Sequence, residues 1–247
     1  MMEATAAVFE QKSPMRLSRD IAEEIVAYRQ KKRKPVTVLI DGKAAAGKSM
    51  MAEALANLLA QRKQPVCVIE ADWFLRDRHY RTEALRQMLA SGKVYTDSHL
   101  LFWNWNDFEA QLHQIQNLAH TGGQYTLTQL YDQKTGKCNG NKELTVAPNS
   151  IILVHGCYLL HRRIDCDLAI MLYVNREIGR RRKMSREYEK SKEGTFPVSA
   201  MRNTIMTWEL LEEPSFFRHM IKNGAKAQII VDTSEPGHWS VIKYEVR

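Results

Sequence analysis

Gly42-Lys43-Ala44-Ala45-Ala46-Gly47-Lys48-Ser49 fits the pattern G-x-x-x-x-G-K-[ST]. Each position has a physical task when the ligand is a polyphosphate. The two glycines admit backbone angles that turn successive N–H groups toward phosphate oxygens. A helix opening near Lys48 aims the positive end of its dipole at the same anion. The Lys48 ammonium can reach the β- and γ-phosphates, and the Ser49 hydroxyl can ligate Mg²⁺. Gly42 through Met50 is therefore the expected binding loop for ATP or GTP. The alternative is a glycine-rich turn with an incidental lysine.

Carboxylates stand at two places where they could serve that loop. Asp41, just before it, can contact a Mg²⁺-bound water or simply hold the loop. Asp72, in Glu70-Ala71-Asp72-Trp73-Phe74, follows a short apolar run. A carboxylate at the end of such a strand can accept the proton of an attacking hydroxyl, as phosphoryl transfer to an alcohol requires. It can also join Ser49 around Mg²⁺, or do no more than cap a helix. Glu70 competes for the same role.

A third group is cationic. Arg176, Arg180, Arg181, Arg182, Lys183 and Arg186 crowd one segment, with Arg182 and Arg186 one helical turn apart. Such a face either closes over a triphosphate, neutralising charge in the transfer step, or is merely solvated. Interleaved aromatics for base stacking are missing, which speaks against nucleic acid. Trp103 and Trp105 would share one side of an extended chain, as a stacking wall or as core. Tyr131 and Asp132 are either acceptor contacts or turn residues. Arg76 and Arg78 could meet an anionic acceptor. Trp208, Phe216 and Phe217 suit packing.

The elements that must position these groups follow from the apolar pattern. Val36–Asp41, Pro65–Glu70, Ile151–Val154, Leu168–Val174 and Ala227–Val231 predict five buried strands. Helices are expected at Leu17–Gln30, Lys48–Arg62, Asp107–Leu118 and Glu177–Lys190. Strands alternating with helices imply a parallel sheet covered on both faces. The expected fold is thus α/β, a P-loop NTPase-type three-layer arrangement with a five-stranded parallel sheet and a helical lid at about 176–200. The polar stretch 122–149 reads as an excursion with a hairpin. Residues 1–16 are expected to be disordered and 17–247 to form one domain.

Composition bounds the rest. Apolar residues make up 44% of 247 and charged residues 26%, an ordinary globule. The four cysteines, at 67, 138, 157 and 166, show no paired spacing, so a reduced, cytoplasmic setting is expected. The first residues are not expected to form a signal peptide, and no apolar run approaches the roughly 20 residues a spanning helix needs, so no membrane partner is expected. The net charge of +8 suits an anionic ligand without choosing one. Homo-oligomerisation is left open.

Together these motifs resemble the uridine kinase and phosphoribulokinase family of P-loop kinases, over about Ser18 to Asp232. The resemblance rests on Ile40–Ser49, Ala71-Asp72-Trp73-Phe74, Trp103-Asn104-Trp105-Asn106-Asp107-Phe108, Leu130-Tyr131-Asp132 with Lys134-Thr135-Gly136, Ile151–Gly156, and Arg182-Lys183 with Arg186-Glu187. It implies an ATP- and Mg²⁺-dependent phosphotransferase acting on a hydroxyl of a small molecule such as a nucleoside. It makes Asp72 the base, Lys48, Arg182 and Arg186 its catalytic partners, and Trp105, Tyr131 and Asp132 acceptor contacts. The chain departs from the family at His155, where an acidic residue usually precedes Gly156, and at Asn104 and Asn106, where Asp is usual. A neutral imidazole is a poor ligand for hard Mg²⁺. A nucleotide-binding protein with little transfer is therefore the competing reading. A mechanical ATPase lacks support, since no apolar strand ends in Asp-Glu.

Overall fold

The structure is a computed structural model that describes residues 10–92, 97–162, 164–192 and 201–246. Five strands run parallel in the order β3 (Val66–Glu70), β6 (Ile151–Gly156), β2 (Val36–Gly42), β7 (Leu168–Tyr173) and β8 (Ile229–Asp232). β2 is buried along its whole length, as its run of branched apolar residues demands. The sheet nevertheless has seven strands rather than five. β9 (Trp239–Tyr244) and β1 (Glu10–Lys12) extend it antiparallel beyond β8.

That extension corrects the expectation for the N-terminus. Residues 10–16 are ordered: Glu10–Lys12 pairs with Trp239–Val241, and α1 (Pro14–Lys32) starts at Pro14. The Ser13 hydroxyl caps it by accepting from the Arg16 N–H at 3.3 Å, and Arg33 closes it in a left-handed conformation. Residues 1–9 lie outside the described residues.

Helices cover both faces. α1 lays Leu17, Ile21, Ala22 and Ile25 against α2 (Lys48–Gln61) and one face of the sheet. The other face packs Phe74, Phe108, Leu112, Ile115 and Phe216 from the turn after β3, α4 (Trp105–Thr121) and α7 (Glu213–Asn223). The excursion at 122–149 is a hairpin of β4 (Gly123–Tyr131) and β5 (Cys138–Val146), separate from the main sheet. Its tip meets the start of α3 (Arg78–Ala90), where the Arg78 N–H donates to the Gly136 carbonyl at 2.8 Å. α5 (Arg176–Lys192) and α6 (Met201–Thr207) lie between β7 and α7, and a π-helical turn, Trp208–Glu212, leads into α7. Among the described residues no helix is long and apolar enough to cross a membrane.

Candidate functional site

β2 delivers the phosphate loop to the carboxyl edge of the sheet, where α/β folds gather ligands. A Cβ on Gly42 would stand 2.7 Å from the Leu172 carbonyl oxygen, so only glycine lets the loop leave the strand this close to β7. Gly47, at φ 91°, is the N-cap of α2. It brings no side chain to the helix's first-turn N–H groups, which are left for a ligand. Ala45 also adopts a left-handed φ of 63°. The carbonyls are tied away. Ala46 accepts from the Thr233 hydroxyl at 3.0 Å, and Ala45 accepts from Arg182 Nη1 at 3.5 Å. Anchoring the oxygens turns the amide N–H groups to the other side, the polarity that an anion requires.

Asp41, fully buried, fastens the start of the loop. Its Oδ1 accepts from the Gly42 N–H at 2.7 Å and its Oδ2 from the Leu160 N–H at 2.9 Å. The same Oδ2 lies 2.7 Å from His219 Nε2, and His219 Nδ1 lies 3.1 Å from Asn223 Nδ2. With its lone pairs so engaged, Asp41 holds the loop rather than facing a ligand.

Lys48 Nζ bends back to the Lys43 carbonyl at 2.8 Å and donates to Cys157 Sγ at 3.3 Å. Around it sit Glu70, Asp72 and His155. Burial pushes His155 down to about 4, helped by the Lys48 charge and opposed by Asp72. The ring, 7% exposed, is thus neutral near pH 7. Burial raises Glu70, as does neighbouring Asp72, while Lys142 and Lys48 pull it down. Burial likewise holds the Cys157 thiol up at about 11. Asp72 sits in the 3₁₀ turn Ala71–Phe74, and its Oδ1 is buried without a hydrogen-bond partner among the described residues.

α5 brings two of the expected cations to different places. Arg182 Nη2 donates to the Thr233 carbonyl at 2.7 Å, so this guanidinium clasps the 233–234 segment to the loop. The Arg186 guanidinium is more exposed and pairs with Glu187 at 3.3 Å. Arg176 and Arg180 both pair with Glu209. Lys43, 4% exposed, is drawn out of the loop to Glu213 at 2.5 Å. Its ammonium lies 5.3 Å from the Trp208 ring, which Lys183 also approaches at 5.4 Å while pairing with Glu212. Burial lowers the Lys43 pKa and Glu213 opposes that shift. Residues 193–200 of the expected lid lie outside the described residues.

On the acceptor side Trp105 departs from the expectation, and Asp132 has a use within its own turn. Trp105 opens α4 and is buried in the core, its Nε1 donating to the Leu100 carbonyl at 2.8 Å and its ring stacked on Trp103 at 5.7 Å. No wall for a base is left by this pair. Asp132 is a turn residue, accepting from the Lys134 N–H and the Thr135 hydroxyl, each at 2.9 Å. These bonds lower its pKa. Tyr131 carries the Arg81 guanidinium over its ring at 4.6 Å. Ser49 and Met50 are exposed on the first turn of α2.

Glu213, Thr233 and His219 went unnoticed in the sequence, because each meets the loop from more than 160 positions away. No local pattern marks them. Among the described residues no group of three or more His, Cys, Asp or Glu could by itself hold a metal ion.

The family model for the phosphoribulokinase / uridine kinase family matches residues 37–207. No curated protein matches the chain. Among solved structures, a possible uridine kinase from Bacillus stearothermophilus is similar at TM-score 0.54 and 17% identity, covering 85% of this chain and 98% of that one. D-glycerate 3-kinase from Cryptococcus neoformans gives TM-score 0.61 at 11% identity, over 91% and 99%. Phosphoribulokinase from Rhodobacter spheroides gives 0.54 at 12%, over 81% and 70%. These likenesses agree on a P-loop kinase fold.

Proposed function

The chain belongs to the phosphoribulokinase / uridine kinase family, and from that premise we propose that it transfers the γ-phosphate of ATP to a hydroxyl of a small metabolite. The observation that carries the reading is Asp72. It keeps a buried carboxylate oxygen unbonded while sharing the neighbourhood of His155 with Lys48. An unsatisfied buried acceptor is rare enough to need a reason, and a substrate hydroxyl supplies one.

The triphosphate fits the loop: uncovered first-turn N–H groups, anchored carbonyls and the Lys48 ammonium all favour an anion. Mg²⁺, which kinases of this family use, would sit on the Ser49 hydroxyl, phosphate oxygens and Asp72, spreading the charge of the phosphates. Those are hard oxygen donors and suit it; the His155 ring does not. In transfer, Asp72 orients the acceptor O–H and takes its proton. The acceptor oxygen forms its bond to the γ-phosphorus as the bond to the β-bridging oxygen breaks, and ADP leaves. Lys48 stays on the β- and γ-phosphates, and Arg182 and Arg186 answer the charge that grows on the leaving side.

His155 favours a second reading, nucleotide binding with little turnover, because the family's usual carboxylate is missing there. An ATP-consumption screen over nucleosides, sugars, hydroxy acids and vitamins, with Lys48→Ala as the blank, separates the two. Turnover above the blank supports the kinase. Nucleotide binding with no turnover on any acceptor sinks it.

A further inference from the structure

Glu212 and Glu213 are neighbours, the last residue of the π-helical turn and the first of α7. Each takes a different lysine. Glu212 pairs with Lys183 of α5, and Glu213 pairs with Lys43 of the phosphate loop at 2.5 Å. Both ammonium groups also approach one indole, Trp208, at 5.4 Å and 5.3 Å from its ring. That ring is fully buried, and its Nε1 has no hydrogen-bond partner among the described residues. α5 meets it a second time through Gly179, one turn before Lys183. A Cβ on Gly179 would stand 3.0 Å from Trp208 Cη2 and 3.2 Å from Cζ2. The same turn reaches α5 again through Glu209, which pairs with Arg176 and Arg180. Arg182, beside Lys183 in sequence, touches the loop itself at the Ala45 carbonyl.

We infer that Trp208, Glu212 and Glu213 are positioning residues: they seat α5 on the phosphate loop, set where Arg182 and Arg186 stand, and make Trp208 sensitive to whether the loop is filled. The effect on transfer rests on the kinase reading above; the seating does not. Lys43 and Lys183 are 4% and 8% exposed. Two buried like charges against one ring repel, and each needs its own counter-ion. Apolar side chains of the same volume would hold the helix about as firmly, since a buried ion pair contributes little net stability. What the two pairs add is register. Sliding or rolling α5 on the ring takes Lys183 off Glu212 and moves the Gly179 backbone into or away from the indole. Arg182 needs that register, because its clasp on the Ala45 and Thr233 carbonyls spans from α5 to the loop. A triphosphate adds negative charge beside Lys43, the loop's own half of the arrangement. That charge competes with Glu213 for the ammonium, and the change is felt at the Trp208 ring. A π-helical turn at this junction fits such a task, since these rare turns concentrate at functional sites.

The test uses the full chain with Mg²⁺ and a non-hydrolysable ATP analogue. Tryptophan emission of the wild type, less that of Trp208→Phe, isolates this ring among the five tryptophans. Filling the loop is expected to change that difference. Lys43→Met with Glu213→Gln, measured against the same variant carrying Trp208→Phe, should abolish the change. Calorimetry then measures binding of the analogue. The pairs are neutralised as pairs, so that no buried charge is left alone. Lys183→Met with Glu212→Gln should weaken the analogue roughly fivefold or more, although neither residue belongs to the loop, and should slow transfer by at least as much. Lys183→Arg, which keeps the charge, should retain most of the affinity. Gly179→Ala should act like the neutral pair, and Lys192→Ala, at the far end of α5, should change nothing. Melting temperatures identify any variant that fails to fold; Gly179→Ala and Lys183→Arg then carry the comparison.

A folded neutral pair at 183 and 212 that binds the analogue like wild type, or Trp208 emission that is the same with the loop empty and filled, overturns the inference and leaves the kinase reading intact. Weakened analogue binding and a Trp208 response, without turnover on any acceptor, uphold the seating and sink the kinase reading instead.

Discussion

Asp41 and His219 lie 178 positions apart in sequence and meet at 2.7 Å beneath the phosphate loop. The contact joins the last residues of β2 to α7, and Asn223, one turn further along α7, holds the other ring nitrogen. All three side chains are buried, so the loop's first amide is set by a hydrogen-bonded chain that ends inside the fold. His219→Ala leaves an acceptor on Asp41 and a donor on Asn223 without their partner. It is expected to lower stability by about 1.5–3 kcal/mol, the range for a hydrogen bond to a charged group. ATP affinity should fall less, because the Gly42 and Leu160 N–H groups still hold Asp41 in place. Chemical denaturation and nucleotide titration of the same variant check both, and a variant as stable as wild type would show the contact to be incidental.

Arg182 and Arg186 were alike in sequence and are unlike in place. Arg182 holds the Ala45 and Thr233 carbonyls, whereas the Arg186 guanidinium pairs with Glu187. Arg182→Ala should therefore weaken ATP binding and slow transfer at least roughly tenfold. Arg186→Ala should slow transfer and leave the KM for ATP near normal, the signature of a contact made only in the transition state. Steady-state kcat and KM for the two variants distinguish these patterns. Normal kinetics in both would reduce α5 to a solvated basic helix.

Much of this arrangement was legible because it is local. A branched apolar run, two glycines and a lysine at fixed spacing define β2, the loop and α2, and the five parallel strands announced themselves as short runs of Val, Ile and Leu. What escaped was pairing between distant segments. Glu10–Lys12 is a polar tripeptide whose strand character exists only through main-chain bonds to β9. Trp105 looked like half of an extended aromatic wall, but a 3₁₀ turn, Asp97–Phe102, precedes the pair and Trp105 is the first residue of α4. Asp132 lies in a turn that its own side chain closes, a use that Asp-x-Lys-Thr-Gly serves as readily as ligand contact.

Asp72→Asn tests the base directly. The change keeps the size of the side chain and removes its ability to take a proton. Transfer should drop by roughly 10²-fold or more while nucleotide affinity holds, in the range for loss of a general base. Stability should hold too, since Oδ1 has no protein partner to lose. Single-turnover kinetics at saturating ATP measure the chemical step alone. A variant as fast as wild type would remove Asp72 from proton transfer.

His155 decides how the site behaves with pH and with metal. Its pKa is about 4 in the folded chain against the ordinary 6.5 of a histidine side chain, chiefly from burial. Between those values the unfolded chain binds a proton that the native state refuses, so stability falls as pH drops through 6.5 and the loss stops growing below about 4. At roughly 1.4 kcal/mol per unit, moving from pH 7 to pH 5 should cost about 2 kcal/mol. His155→Asn cannot take up that proton, and its denaturation curves should lose correspondingly less over the same interval. Near pH 7 the ring is mostly neutral in both states, so little of this proton-linked difference between the two proteins should remain there. A carboxylate at the same place acts differently. His155→Glu puts a hard oxygen beside Asp72 and opposite Lys48, and should lower the Mg²⁺ concentration for half-maximal rate. The added charge also raises the neighbouring Glu70 further, by repulsion of like charges. If the Mg²⁺ requirement is unchanged and the rate falls instead, the imidazole has a task of its own in this chain, and the missing carboxylate is no defect.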